Sequence, residues 1–436
     1  MKFSKPFAAL LTAASIATAI ATTSTAFASD QVPGEVQNVA LVGGTIYTAA
    51  GEPIEGGILV IENGKIKAVG KDIDVPEGFE QLDVSGKRVY PGLIEASTDV
   101  GLAEIDAVRT TIDYSEEGPV NPNAVAAVAV NPDSEIIPTT RANGVLLTHS
   151  HPSGGIVSGQ GSLMQLDGWT WEDMTVARST GLILNWPNML PRQSFFFAAA
   201  PEEQMSRRDE QLQQIEDLFD TAERYKLARE NESIDFDARY EAMIPFLEGE
   251  RPIFVDANES QQIQLAVAFC QRRGLKMVLL GGRDAGKVTE VLKAADVPVI
   301  LIGTQRSPGA RDASYDEAYR LPAVLHEAGV KFAIASDRRN SMARNLPYHV
   351  GAAIGFGLPE DVALACVTSH AAEILGVSDR VGTLEAGKDA TLFVADGDIF
   401  ETPTQVTHAW IGGRRTDLSS RHTQLNDKYK QRYGQE

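Results

Sequence analysis

The sequence predicts an α/β protein: a (β/α)8 TIM barrel clasped by a composite β-sandwich domain built from both chain ends. Two patterns predict it. Apolar runs of strand length alternate with helical stretches through the second half of the chain, which is the signature of parallel βα units. Both chain ends carry short apolar runs punctuated by Gly-rich turns. The 436 residues are 43% hydrophobic and 22% charged. That is enough chain for one large barrel and a satellite domain, with a composition unlike that of disordered proteins.

Residues 1–28 read as a secretory signal. Lys2 and Lys5 lead an Ala/Leu/Ile/Thr-rich run that ends in Ala26-Phe27-Ala28, an A-x-A cleavage site. Thr and Ser dilute the run and no basic cluster follows, so a membrane anchor is the weaker reading. Export to a periplasmic or secreted location is expected, with no membrane association after cleavage. The whole chain carries a formal charge of −20, and loss of Lys2 and Lys5 makes it two units more negative. Such a surface repels nucleic acid and anionic lipid. Cys270 and Cys366 each sit inside an apolar helical pattern and read as buried free thiols, with a disulfide as the alternative.

From 29 to 88 the chain alternates apolar runs with turns. Asn63-Gly64 between two such runs is a strong hairpin signal. The matching half of this sheet domain is expected at 385–416, where Thr391-Leu392-Phe393-Val394 and Val406 to Ile411 are the apolar runs. The barrel is expected over 89–384, beginning in Val89-Tyr90-Pro91-Gly92-Leu93-Ile94. Further strands are read at Val145–Leu147, Ser162–Leu166, Leu182–Leu184, Pro252–Asp256, Lys276–Leu280, Pro298–Ile302 and Phe332–Ala335. Helices are expected over Ser260–Arg273, Lys287–Ala295 and Glu317–Ala328. Gln204 to Glu248 is charged and helix-patterned, an outer insertion. Residues 417–436 form a polar tail.

Catalytic groups of a βα barrel project from the carboxyl ends of its strands. Those positions read Ser97 and Asp99, then His149-Ser150-His151, Asn185, Asp256, Gly281-Gly282, Thr304 and Asp337. Asp99, Asp256 and Asp337 could converge as a carboxylate set suited to a hard cation, or line a pocket as solvated acids. His149 and His151 alternate along one strand, so both imidazoles could reach one ion; the competing reading bonds them to backbone ahead of Pro152. Gly154 to Gly161 lacks the Lys-Ser/Thr of a phosphate-binding loop and reads as a flexible loop over the barrel mouth. Glu104, Asp106, Asp113, Glu116 and Glu117 make the loop after the first strand acidic, which reads as a solvated loop, with selection of a cationic ligand as the alternative.

The run Pro91-Gly92-Leu93-Ile94-Glu95, the Gly387-to-Val394 segment and the Ala335-Ser336-Asp337 strand end resemble the amidohydrolase superfamily, and in particular its secreted, imidazolonepropionase-like members. The Ser158-Gly159-Gln160-Gly161 segment is similar to one secreted branch of that superfamily. The resemblance implies hydrolysis of non-peptide carbon–nitrogen bonds by water activated on one or two divalent ions, zinc or manganese. It also implies Asp337 as the surviving catalytic aspartate and metal ligand. The pattern departs elsewhere. Ser97 and Asp99 replace a His-x-His pair, Asp256 stands where a fifth-strand histidine is expected, and Gly281 or Gly282 where a sixth-strand histidine is. No lysine falls at the end of the Leu182–Leu184 strand.

The departure has an energetic meaning. Zinc lowers the pKa of its water from 15.7 to about 7, so losing the metal forfeits on the order of 12 kcal/mol in making hydroxide. The leading expectation is therefore a superfamily member with an eroded metal site and weak or absent hydrolysis. One alternative is an active hydrolase with a remodelled site of Asp99, Asp256, Asp337, His149 and His151. The other is a non-catalytic binding or scaffold partner of an intact relative. The expected partners are a small-molecule substrate or ligand and either a second copy or a related amidohydrolase, with no nucleic acid.

Overall fold

A computed structural model of the protein describes residues 33–191, 199–231, 234–309 and 313–435. The signal expected at 1–28 lies outside them. Strands β1 (Val39–Ile46), β2 (Ile54–Glu62), β3 (Lys65–Gly70), β4 (Glu80–Asp83) and β5 (Arg88–Pro91) form the amino-terminal half of an outer sheet. Asn63 and Gly64 join β2 to β3 with φ of 52° and 81°, the left-handed pair that a tight hairpin turn requires. The other half comes from β14 (Leu392–Ala395), β15 (Val406–Ile411) and β16 (Arg414–Arg415). Antiparallel pairing of β5 with β14, Leu392 opposite Pro91, joins the two halves. The composite sheet was legible in its Gly-punctuated runs; its edge was not. Val89–Pro91 pairs in this sheet, so the barrel starts at Leu93 rather than at 89.

The barrel strands are β6 (Leu93–Thr98), β7 (Val145–Ser150), β8 (Val157–Gln165), β9 (Thr175–Asn185), β10 (Ile253–Ala257), β11 (Met277–Gly281), β12 (Val299–Ile302) and β13 (Phe332–Ala335). They lie side by side in chain order. Every neighbouring pair is parallel except those involving β8, which runs antiparallel to both β7 and β9. The cause is connection length. Residues 151–156 and 166–174 are too short to carry a crossover, which takes a dozen residues or more. Here the structure overturns a flexible loop over Gly154–Gly161, because Val157 to Gly161 is buried strand.

Ile94, Leu147, Leu163, Ile183, Phe254, Val278 and Ile300 pack together as a core with Ala371, Ala372 and Ile374 of the short helix Ser369–Ile374. The helix Ser260–Arg273 shows why the covering layer forms. Glu259 and Gln262 make a capping box, Gly274 ends the helix at φ 66°, and Ile263, Ala266, Val267 and Cys270 bury one face. Cys270 and Cys366 are buried and free. The charged 204–248 stretch forms the helices Pro201–Glu230 and Ala238–Leu247. The polar tail carries the helix Arg421–Tyr433, none of whose residues is buried. No described helix is long and apolar enough to cross a membrane.

Two buried polar arrangements hold the parts together. At the seam between β6 and β13 the Glu95 carboxyl group accepts from the Ser336 backbone N–H (3.1 Å) and hydroxyl (2.6 Å). Asp99 N–H donates to the Arg338 carbonyl at 2.9 Å. Side-chain and loop bonds thus close the barrel there. Between barrel and outer sheet, Asp167 is buried against two guanidinium groups, Arg141 at 3.3 Å and Arg414 at 3.1 Å. Arg141 also donates to the carbonyls of Leu166 (2.9 Å) and Asp417 (3.0 Å).

Candidate functional site

The carboxyl ends of the parallel strands bring the sequence-predicted residues to one end of the barrel. His149 near the end of β7 and His151 just beyond it have ring centroids 5.5 Å apart. The Nδ1 of His149 lies 2.9 Å from the Ala96 carbonyl, which can only accept, so Nδ1 carries the proton. Its Nε2 lone pair then faces the Thr180 hydroxyl at 2.8 Å. His151 repeats the pattern, with Nδ1 donating to the Pro152 carbonyl at 3.0 Å and Nε2 accepting from Ser97 Oγ at 2.8 Å. Burial pushes the His149 pKa down to about 3, with His151 adding to the shift. Burial also holds His151 at about 4, helped by the charge of Arg338. Both rings are neutral and both lone pairs face hydroxyl donors.

The three aspartates are engaged separately. Asp256 pairs with Arg338 at 2.7 Å and accepts from Asn258 Nδ2 at 3.2 Å. Asp337 pairs with Arg339 at 2.9 Å. Asp99 accepts the Asn340 backbone N–H, and burial raises its carboxyl to about 6. Among the described residues no three His, Cys, Asp or Glu side chains gather as a metal-binding group. Asn185 ties the Gly154–Ser158 turn to β9, donating to the Gly155 carbonyl at 3.0 Å and to Ser158 Oγ at 2.8 Å. His349 receives the Thr304 N–H at 3.2 Å, and burial lowers it to about 4.

Sequence reasoning missed three of the groups that matter here. Arg338 follows the Asp337 strand end directly, and a basic pair at that place in an acidic chain was the available signal. Glu95 sits in the strand as an ordinary acid; only the fold shows it fully enclosed at the seam. Thr180 is silent in sequence because its partner lies 31 residues away.

Gly161 explains a glycine in the middle of β8. A Cβ there would stand 2.2 Å from His149 Nε2. Gly161→Ala is expected to displace the imidazole and cost about 3 kcal/mol in denaturant unfolding, at the upper end for an overpacked core. Adding His149→Ala should recover part of that loss, a non-additivity that a general backbone defect would not produce.

Comparison with known proteins bears on this geometry. The profile of the Amidohydrolase family matches residues 281–416. The imidazolonepropionase of Brucella anthropi is 25% identical over 81% of this chain and 90% of its own length. That of Cupriavidus necator is 26% identical, over 81% and 87%. An amidohydrolase crystal structure from Thermotoga maritima superposes with a TM-score of 0.76 at 25% identity, covering 86% of this chain and 99% of that one. The chain belongs to the amidohydrolase superfamily. Solved structures at lower identity share the fold; molinate hydrolase, at 13% identity and a TM-score of 0.54, is one. In this chain Asp337 lies just beyond the carboxyl end of β13, and an ion pair and two hydroxyl–imidazole contacts engage Asp256, His151 and His149.

Proposed function

We propose that in this amidohydrolase-superfamily barrel the divalent centre has given way to an internally compensated set, so that hydrolysis of carbon–nitrogen bonds by metal-activated water is weak or absent. The observation that carries the reading is the Arg338–Asp256 pair at 2.7 Å. A guanidinium is a fixed monocation, always charged, and it engages a carboxylate that a metal would need. The donor set supports the same reading. A histidine ligand must offer a free lone pair, and those of His149 and His151 are met by Thr180 and Ser97. Asp337 meets Arg339. These residues do not fit a two-metal or one-metal centre of His and Asp ligands.

The chain then acts as a binding protein on a hydrolase scaffold. Loss of residues 1–28 would place it outside the cytoplasm, with a small molecule as ligand and a second copy or a related amidohydrolase as companion.

The test uses mature protein purified without chelators. Less than 0.1 zinc or manganese per chain, no thermal shift with either ion, and no turnover of cyclic or acyclic amides are the expected results. Stoichiometric metal together with metal-dependent amide hydrolysis would overturn the proposal, because it would require Asp256 to leave Arg338.

A further inference from the structure

We propose that the barrel mouth binds a small organic carboxylate through Arg306 and Arg283, beside Arg338. The inference rests on the reading that guanidinium groups, rather than a metal, supply positive charge there. Three successive strands, β11, β12 and β13, each deliver an arginine within a few residues of their carboxyl ends. That is the face where barrels of this type hold ligands. The protein is otherwise strongly acidic, at −20 overall.

The three groups form a connected chain. Arg338 pairs with Asp256, and Asn258 donates to the same carboxylate at 3.2 Å. Asn258 in turn accepts from the Arg283 backbone N–H at 3.4 Å. Arg306 donates to the Arg283 carbonyl at 3.4 Å. Their compensation is uneven. Arg338 has its short partner. Arg283 has only long ones, Asp284 at 3.6 Å and Glu259 at 3.9 Å, and Asp284 is shared with Lys287 at 3.1 Å. Arg306 is half-buried and pairs with no carboxylate among the described residues. Burial disfavours its charge and Arg283 repels it further, against a smaller attraction from Glu317 and Asp284, neither of which pairs with it directly.

A half-buried guanidinium with a single long hydrogen bond and a cationic neighbour is costly unless an anion completes it. Its planar fork presents paired N–H donors that match a carboxylate in bidentate fashion. Arg283 remains reachable from solvent, its side chain 32% exposed. A second carboxylate-facing donor therefore lies beside the first, so a dicarboxylate suits the mouth better than a neutral amide.

The experiment titrates succinate, succinamide and inorganic phosphate into the mature chain at constant ionic strength, by calorimetry and by thermal unfolding. Succinate is expected to bind and to raise Tm by on the order of 2 °C at a hundredfold excess over Kd, whereas succinamide does neither. Arg306→Met should weaken succinate at least tenfold, the loss of one charge-assisted contact, and Arg283→Met should weaken it less. Circular dichroism on each variant checks folding, and Arg306→Lys, which keeps the charge without the fork, should recover only part of the affinity. No succinate binding, equal binding by Arg306→Met, or a response to phosphate alone would overturn the proposal. Succinate binding by protein that also holds stoichiometric metal would instead count against the metal-free reading and leave the anion site standing.

Discussion

Asp167→Ala is expected to destabilise the protein by about 3–5 kcal/mol, the usual cost of stranding buried charge. Asp167 is nearly fully enclosed, with Arg141 equally so and Arg414 partly exposed. Removing the carboxylate leaves Arg141 with carbonyl partners only, the Leu166 and Asp417 oxygens. Those acceptors satisfy its hydrogens without neutralising its charge. The loss is read by urea unfolding. Because Asp167 follows β8 and Arg414 lies in β16, the same substitution should expose the sheet-to-barrel joint to limited proteolysis before the barrel core. Asp167→Asn, which keeps the shape and some hydrogen bonds, should cost less. Equal stability of wild type and Asp167→Ala would refute the assignment.

The second large effect is a pH dependence centred on Glu95. Burial raises its carboxyl from 4.5 to about 8, against the hydrogen bonds from Ser336 and Ser97, which pull it down. The native state therefore keeps a proton that the unfolded chain releases. Below about pH 4.5 both states are protonated and Glu95 costs nothing. Between about pH 4.5 and 8 stability falls as pH rises, at up to roughly 1.4 kcal/mol per unit, and the penalty levels off above that. Glu95→Gln cannot ionise and still offers an acceptor to the Ser336 N–H. It is expected to match wild type near pH 5 and to exceed it at pH 9 by a few kcal/mol. Asp99, raised to about 6, pulls in the same direction over a lower window, so the difference between wild type and variant, rather than either curve alone, isolates Glu95. Parallel stability–pH curves would sink this account.

Much of the fold could be read from period and punctuation. All eight barrel strands fall on the apolar runs, and Ser260–Arg273 matches the predicted helix to the residue. Those features depend on neighbours a few positions apart. The antiparallel direction of β8 depends on how short its two connections are, which a run of apolar letters does not display. At the site, the strand ends bring the named positions to one end of the barrel without gathering Asp99, Asp256 and Asp337 into one carboxylate set. Sequence could not say whom they bond, because Asp256 on β10 meets Arg338 beyond β13, and Ser97 on β6 meets His151 beyond the neighbouring β7. Of the two readings of His149 and His151, one shared ion or bonds to backbone, the rings make the backbone bonds through Nδ1, and the threonine and serine hydroxyls facing Nε2 were not foreseen. Glu95 was invisible for the same reason, since its partner Ser336 lies on the opposite margin of the strand series.

The reversed strand also bears on how the molecule assembles. β7, β8 and β9 form an up-and-down meander whose partners are close along the chain, so little loop entropy opposes it. Joining β6 to β13 brings together margins separated by most of the polypeptide, and among the described residues the bonds that clasp them come from the Glu95 and Asp99 carboxyl groups, the Ser336 hydroxyl, the Asn340 side chain and a few loop amides. Folding would therefore begin at the meander and finish at that clasp, and the first place to breathe in the native state would be the last place to close.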